Sequence, residues 1–263
     1  MGVRLRDVPA AAGGLWIRQA FATFRRRPGL FLSAFAGMFM VLVLLTLMGL
    51  FGLIVFGLAV PVGSLLFMMI TAWSLADLPE HRRLAATPFA STTVRRRGLV
   101  GLCALYCTGL LVMSVLATWS AGDSMEAYLT EMRAYYANAA STAEMPEPSG
   151  QLIGALCVLY GGLSLLSVSM WHAAALVHWG GQGAAHALFS SALALWRTRR
   201  AFIVYLLGWV TLWMAVMLVA NVLALIGLGV LALPLFFTAM MTLATVFYVS
   251  LYFTFTGTFE LDD

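Results

Sequence analysis

The chain has 263 residues, 62% of them hydrophobic and only 10% charged, with a formal net charge of +4. A soluble domain carries about a quarter charged residues. So few charges cannot cover a water-facing surface, which excludes a soluble globular protein and points to an integral membrane protein.

The N-terminal segment, residues 1–27, is amphipathic. Ile17, Ala20, Phe21 and Phe24 share one helical face, which predicts an interfacial helix on the cytoplasmic surface. It ends in "FRRRPGLF", where Arg25, Arg26 and Arg27 stand directly before a long apolar run. A helix needs about 20 apolar residues to cross the hydrocarbon core. The first such run covers about 28–50, and a second follows the turn "MGLFGL" over about 53–76. The first span is expected to serve as an uncleaved signal anchor, because its apolar run is too long for a cleavable signal.

Arg95, Arg96 and Arg97 in "VRRRGLVGL" introduce the third run, about 98–120. The segment before them, "ATPFASTTV", is a shorter and weaker counterpart of the N-terminal one. The outer loop then reads "DSMEAYLTEMRAYY", with Met125, Tyr128, Leu129, Met132, Tyr135 and Tyr136 three and four apart. This predicts a periplasmic interfacial helix over about 123–137, capped by Asp123 with Glu126. A partner-binding helix is the alternative. The fourth run covers about 151–179.

Ala184, Leu188, Ala192 and Leu195 share a helical face ahead of the third cluster, Arg197, Arg199 and Arg200 in "WRTRRAFIVYLL". The fifth and sixth runs cover about 201–226 and 229–257, joined by "IGLG", and 258–263 is left as a tail. The expected fold is an all-α membrane protein of six transmembrane helices in three hairpins, with Pro61 and Pro234 kinking spans two and six. Interfacial segment, arginine cluster, span out and span back recur at roughly 70- to 75-residue intervals once the outer loop is set aside, which suggests three repeats.

Cytoplasmic loops are enriched in basic residues. Every arginine but Arg133 falls on one side of this arrangement, while Asp123, Glu126, Glu131, Glu144 and Glu147 fall on the other. Both termini are therefore expected in the cytoplasm of a bacterium, with the spans in its inner membrane.

The three arginine clusters are candidates for binding lipid phosphate through guanidinium forks and free helix N–H groups. Ordinary topology signals would look the same. Along span six, Thr238, Thr242, Thr245, Tyr252 and Thr256 fall on one face and draw a hydroxyl stripe. It reads either as helix packing or as a polar groove. Cys103, Cys107 and His172 lie at similar depth and could converge on a soft metal such as Cu(I). Cysteine and methionine as apolar filler is the plainer reading. No metalloprotease His–Glu pair, phosphate loop or nucleophile elbow occurs. No enzyme activity, cofactor or nucleic-acid partner is expected.

The stretch "WHAAALVHWGGQGAAHALFSSALALWRTRRAFIVYLLGW", with the opening "RLRDVPAAAGGLWIRQAFATFRRRPGLF" and the closing "TVFYVSLYFTF", resembles an uncharacterised family of six-span inner-membrane proteins common in β-proteobacteria. The Ala-Leu-x-x-Ser helix and arginine cluster are also distantly similar to the membrane domain attached to some bacterial glycerophosphodiester phosphodiesterases. That family shows "Ala-Pro-Ala-Leu" where this chain reads "HAAAL", with His172 and Ala174. The resemblance implies fold and location; the distant likeness hints at lipid work without its catalytic domain. Three functions follow: a non-enzymatic component that organises anionic lipid or assists a membrane-protein partner, a passive carrier or channel for a small neutral or amphipathic molecule, or a copper-handling protein.

Overall fold

The structure, a computed structural model, describes residues 3–137 and 145–261. Glu144 of the outer loop and the last two residues of the tail lie outside them. In chain order the elements are β1 (Val3–Leu5), α1 (Ala12–Arg26), α2 (Pro28–Thr46), α3 (Gly49–Ser74), α4 (Pro79–Ala86), α5 (Thr93–Ala121) and α6 (Ser124–Ala137). Then come α7 (Gly150–Met170), α8 (Ala173–His178), α9 (Ala184–Arg197), α10 (Arg199–Leu225), α11 (Gly229–Thr258) and β2 (Phe259–Leu261).

Among the described residues, five stretches are long and apolar enough to cross a membrane: Pro28–Leu45, Thr93–Ala121, Gly150–His178, Arg199–Leu225 and Gly229–Thr258. α3 adds the shorter apolar segment Val60–Ser74. α2 and α3 join where Gly49 takes φ +58°, a conformation glycine adopts without penalty.

One compact unit comprises Met1–Cys103 with Ser169–Asp263; Ala104–Val168 form a second. In the first, the two ends of the chain meet. β1 and β2 pair antiparallel, Val3 opposite Leu261 and Leu5 opposite Phe259. The described part of the expected tail is thus ordered: Thr258 closes α11, its carbonyl accepts from the Arg6 N–H at 2.9 Å, and 259–261 are strand.

α1 does not lie alone on the membrane surface as the amphipathic pattern suggests. It docks on α10 and α11. Gly13 faces Ala201 and Tyr205, Ile17 reaches Gly208, and Phe21 stacks on Trp209 at 6.2 Å between centroids. Both chains advance in the same direction along this contact, so α1 and α10 run parallel. Trp16 packs on Phe202 at 5.2 Å and on Tyr205 at 6.1 Å. The buried face is Gly13, Trp16, Ala20, Thr23 and Phe24, turned from the predicted one because small residues permit the close approach. α9 repeats the lesson: it buries Ala187, Ser191 and Ala194 rather than the predicted Ala184, Leu188, Ala192 and Leu195.

Two further corrections concern element boundaries. Span four is interrupted: α7 ends at Met170, a turn passes through Trp171 and His172, and the wholly buried α8 follows. The helix before the second arginine cluster is α4, upstream of the "ATPFASTTV" segment. A short helix therefore carries or precedes each arginine cluster: α1, α4 and α9.

The exposure of α10 and α11 changes along their length. At the tip of their hairpin Leu225 is 87% and Val230 89% exposed. Toward the termini Phe202, Tyr205, Trp209, Val249, Tyr252 and Phe255 are buried. The apolar side chains toward the tip thus lack protein cover, as lipid-facing side chains do, while the end near the termini is wrapped by α1, α3 and α8.

The second unit is simpler. Gly109 accommodates Leu166 and Gly162 accommodates Met113. The Tyr106 and Ser167 hydroxyls lie 3.3 Å apart. α6 forms as predicted and buries none of its residues.

Candidate functional site at the arginine-bearing face

The arginine clusters do not simply sit at the starts of outward helices. Arg25 and Arg26 occupy the last turn of α1, and Arg197 the last turn of α9. There the negative end of the helix dipole favours cations. Arg199 and Arg200 open α10, and Arg95–Arg97 lie in the first turns of α5. Arginine at a helix N-terminus opposes the dipole, a cost borne by the whole second cluster but by only part of the first and third.

Several of these arginines have local partners. Arg26 Nη1 lies 3.7 Å from Asp77 Oδ2, both side chains well exposed. The Arg27 guanidinium sits 5.1 Å from the centroid of Trp73. Arg95 donates to Ser91 Oγ at 2.5 Å. Arg96 Nε donates at 3.0 Å to the carbonyl of Ala90, whose φ of +47° makes the sharp turn before α5. Arg199 donates to the Trp196 carbonyl at 3.2 Å and stacks over that indole at 5.2 Å. Arg25, Arg97, Arg197 and Arg200 stand exposed. Two of three clusters thus hold an arginine on an outward-facing tryptophan, Trp73 being 56% and Trp196 70% exposed.

Beside the first cluster is a cleft of about 480 Å³ lined by Arg26, Arg27, Trp73, Ser74, Ala76 and Asp77. About one turn further along α3 begins an apolar groove of about 460 Å³ between α2 and α3, floored by Phe67 and Tyr248. A second apolar groove, about 410 Å³, runs between α10 and α11.

The threonines of the hydroxyl stripe donate within their own helix. Thr238, Thr242, Thr245 and Thr256 each donate to the carbonyl four residues back, at 2.7–3.1 Å. Each hydroxyl's single donor is thereby used within the helix, and its oxygen keeps lone pairs that can accept. Tyr252 alone reaches outward, its hydroxyl 2.9 Å from Nδ1 of His81 on α4. Burial lowers the pKa of His81 from its ordinary value, with Arg26 adding to the effect and Glu80 and Asp77 opposing it.

The polar contacts that bind elements together lie elsewhere. Thr254 Oγ1 meets Trp171 Nε1 at 3.3 Å and His172 Nε2 at 3.2 Å. The His172 N–H donates to Ser191 Oγ at 3.1 Å. Tyr205 and Ser250 hydroxyls lie 2.6 Å apart. The sequence signal for this hub is the four-residue spacing of Ser250 and Thr254, on a different face from the stripe.

His172 belongs to this hub and not to a metal centre. Its ring packs edge-on against Phe202 at 5.7 Å and Phe259 at 5.4 Å. Among the described residues no three His, Cys, Asp or Glu are placed to hold a metal ion, so Cys103, Cys107 and His172 do not form the expected set.

The fold defines a multi-pass membrane protein. The chain is similar to a protein of Burkholderia thailandensis named a probable inner membrane protein, 26% identical over 267 aligned residues, which cover 99% of this chain and 96% of that one. No family model and no solved structure matches it. Nothing therefore supports the distant likeness to the phosphodiesterase membrane domain.

Proposed function

We propose that the protein is a six-span, non-enzymatic component of the bacterial inner membrane, with both termini cytoplasmic, that organises anionic phospholipid at its inner face. α3, a 26-residue helix, supplies the sixth span. The Burkholderia relative's name supports the location. The observation that carries the lipid reading is the repeated pair, Arg27 on Trp73 and Arg199 on Trp196. Tryptophan favours the headgroup level of a bilayer, and an arginine held beside it meets phosphate there.

The test is lipid retention in native mass spectrometry with phosphatidylglycerol or cardiolipin. Each arginine near an anionic surface contributes about 1 kcal/mol, so R199Q/R200Q is expected to weaken binding by about 30-fold. R199K/R200K retains general attraction and loses the bidentate grip. Equal retention by all three proteins reduces the clusters to topology signals. For the topology itself, a reporter after Asp263 is active only in the cytoplasm and one at Ser141 only in the periplasm; a cytoplasmic Ser141 removes the hairpin scheme.

A further inference from the structure

The first cluster differs from the other two by its acids. Asp77 is set against Arg26. Glu80 Oε1 lies 3.4 Å from His81 Nε2, and that same imidazole feels the charges of Arg26 and Asp77. This arginine-rich cluster thus offers carboxylates beside its guanidiniums, and Asp77 lines the cleft together with Arg26 and Arg27. Among the described residues the second and third clusters make no ion pair.

A singly anionic headgroup meets the Asp77 carboxylate as a like charge beside the arginines. A zwitterion gains from both halves, its phosphate on arginine and its amine on carboxylate. The apolar groove fixes which zwitterion. Its lining includes Ser33, Gly37 and Leu42 on α2 and Val60, Gly63 and Ile70 on α3. Ile70 is four residues from Ser74 of the charged cleft, about 6 Å along the helix. From Ser33 to Leu42 the groove follows α2 for about 14 Å. Charge at one end and an apolar channel running outward from it have the dimensions and polarity of one phospholipid.

We infer that the cleft at Arg26, Arg27 and Asp77, with the groove between α2 and α3, is a site for an aminophospholipid: phosphate on the guanidiniums, ammonium on the Asp77 carboxylate, one acyl chain in the groove. This rests on the lipid reading above and reverses its preference at this one position. Asp77 is mostly exposed, so its substitution removes the carboxylate without opening a packed core. Gly37 has open space where a Cβ would stand, so a leucine there enters the groove without meeting backbone.

The test uses the full-length protein with equal amounts of phosphatidylethanolamine and phosphatidylglycerol of matched acyl chains, read by native mass spectrometry. D77N is expected to lower the ratio of bound ethanolamine to glycerol lipid about fivefold, the scale of one partly exposed ion pair. G37L is expected to displace the retained ethanolamine lipid with the headgroup residues intact. R199Q/R200Q lowers glycerol lipid and leaves the ethanolamine lipid in place. A D77N ratio equal to that of the wild type overturns the site, as does a G37L protein that still retains the lipid. Full glycerol-lipid retention by R199Q/R200Q overturns the wider reading instead.

Discussion

Trp16 lies against Gly257. A Cβ on Gly257 would run into the indole Nε1. The N-terminal helix is thereby keyed to the last turns of α11, at a position where only hydrogen fits. G257A forces the ring out of its seat between Phe202 and Tyr205. Overpacking of this kind costs about 1–3 kcal/mol, expected as a lowered thermal midpoint in detergent. G14A provides the contrast, since open space surrounds a Cβ at Gly14. Equal midpoints for the wild type and G257A would show that the docking of α1 is loose.

Thr254 and Thr242 both sit on α11 and differ in what they hold. Thr242 bonds only its own helix, whereas Thr254 also meets Trp171 and His172. T254V leaves two buried ring nitrogens without that partner, at a cost of about 1–3 kcal/mol. T242V is expected within about 0.5 kcal/mol of the wild type. Chemical unfolding of the two variants side by side separates hub from stripe; matched losses would dissolve the distinction.

His81 is held neutral between Tyr252 on α11, Glu80 on its own helix, Asp77, and Arg26 at the end of α1. Its folded pKa lies below the ordinary 6.5, chiefly through burial. The unfolded chain therefore takes up the proton first as pH falls. The stability that neutral His81 contributes is complete above about pH 6.5 and is lost below it, toward the folded pKa. The thermal midpoint is expected to fall between pH 7 and pH 5, and H81Q to flatten that fall. An identical slope in H81Q would assign it to other groups.

Span positions are legible because apolar length is the signal. The expected runs 28–50 and 229–257 became Pro28–Thr46 and Gly229–Thr258. The break at Trp171 and His172 is not legible, because the apolar run carries on through it. Nor is the docking face of α1: Gly13, Ala20 and Thr23 have low hydrophobicity, and their importance is their size. Three-residue strands are too short to show alternation. α4 has only eight residues, three of them charged (Glu80, Arg82 and Arg83), and nothing apolar marks it. The stripe was visible as a pattern, but whether a hydroxyl serves its own helix or a neighbour is decided by rotamer and packing.

The pairing of β1 with β2 also sets an order of events. A membrane chain is threaded from its N-terminus, yet α1 finds its seat only on α10 and α11, and β1 its partner only some 250 residues later. Until then Trp16 and Phe21 have none of the rings they pack against, and the amphipathic helix must wait at the bilayer surface. The interfacial behaviour written in its sequence is that of the nascent chain; the docked helix is its final form. Closure of the ribbon is thus a late step, dominated by contacts distant in sequence, and such contacts form slowly.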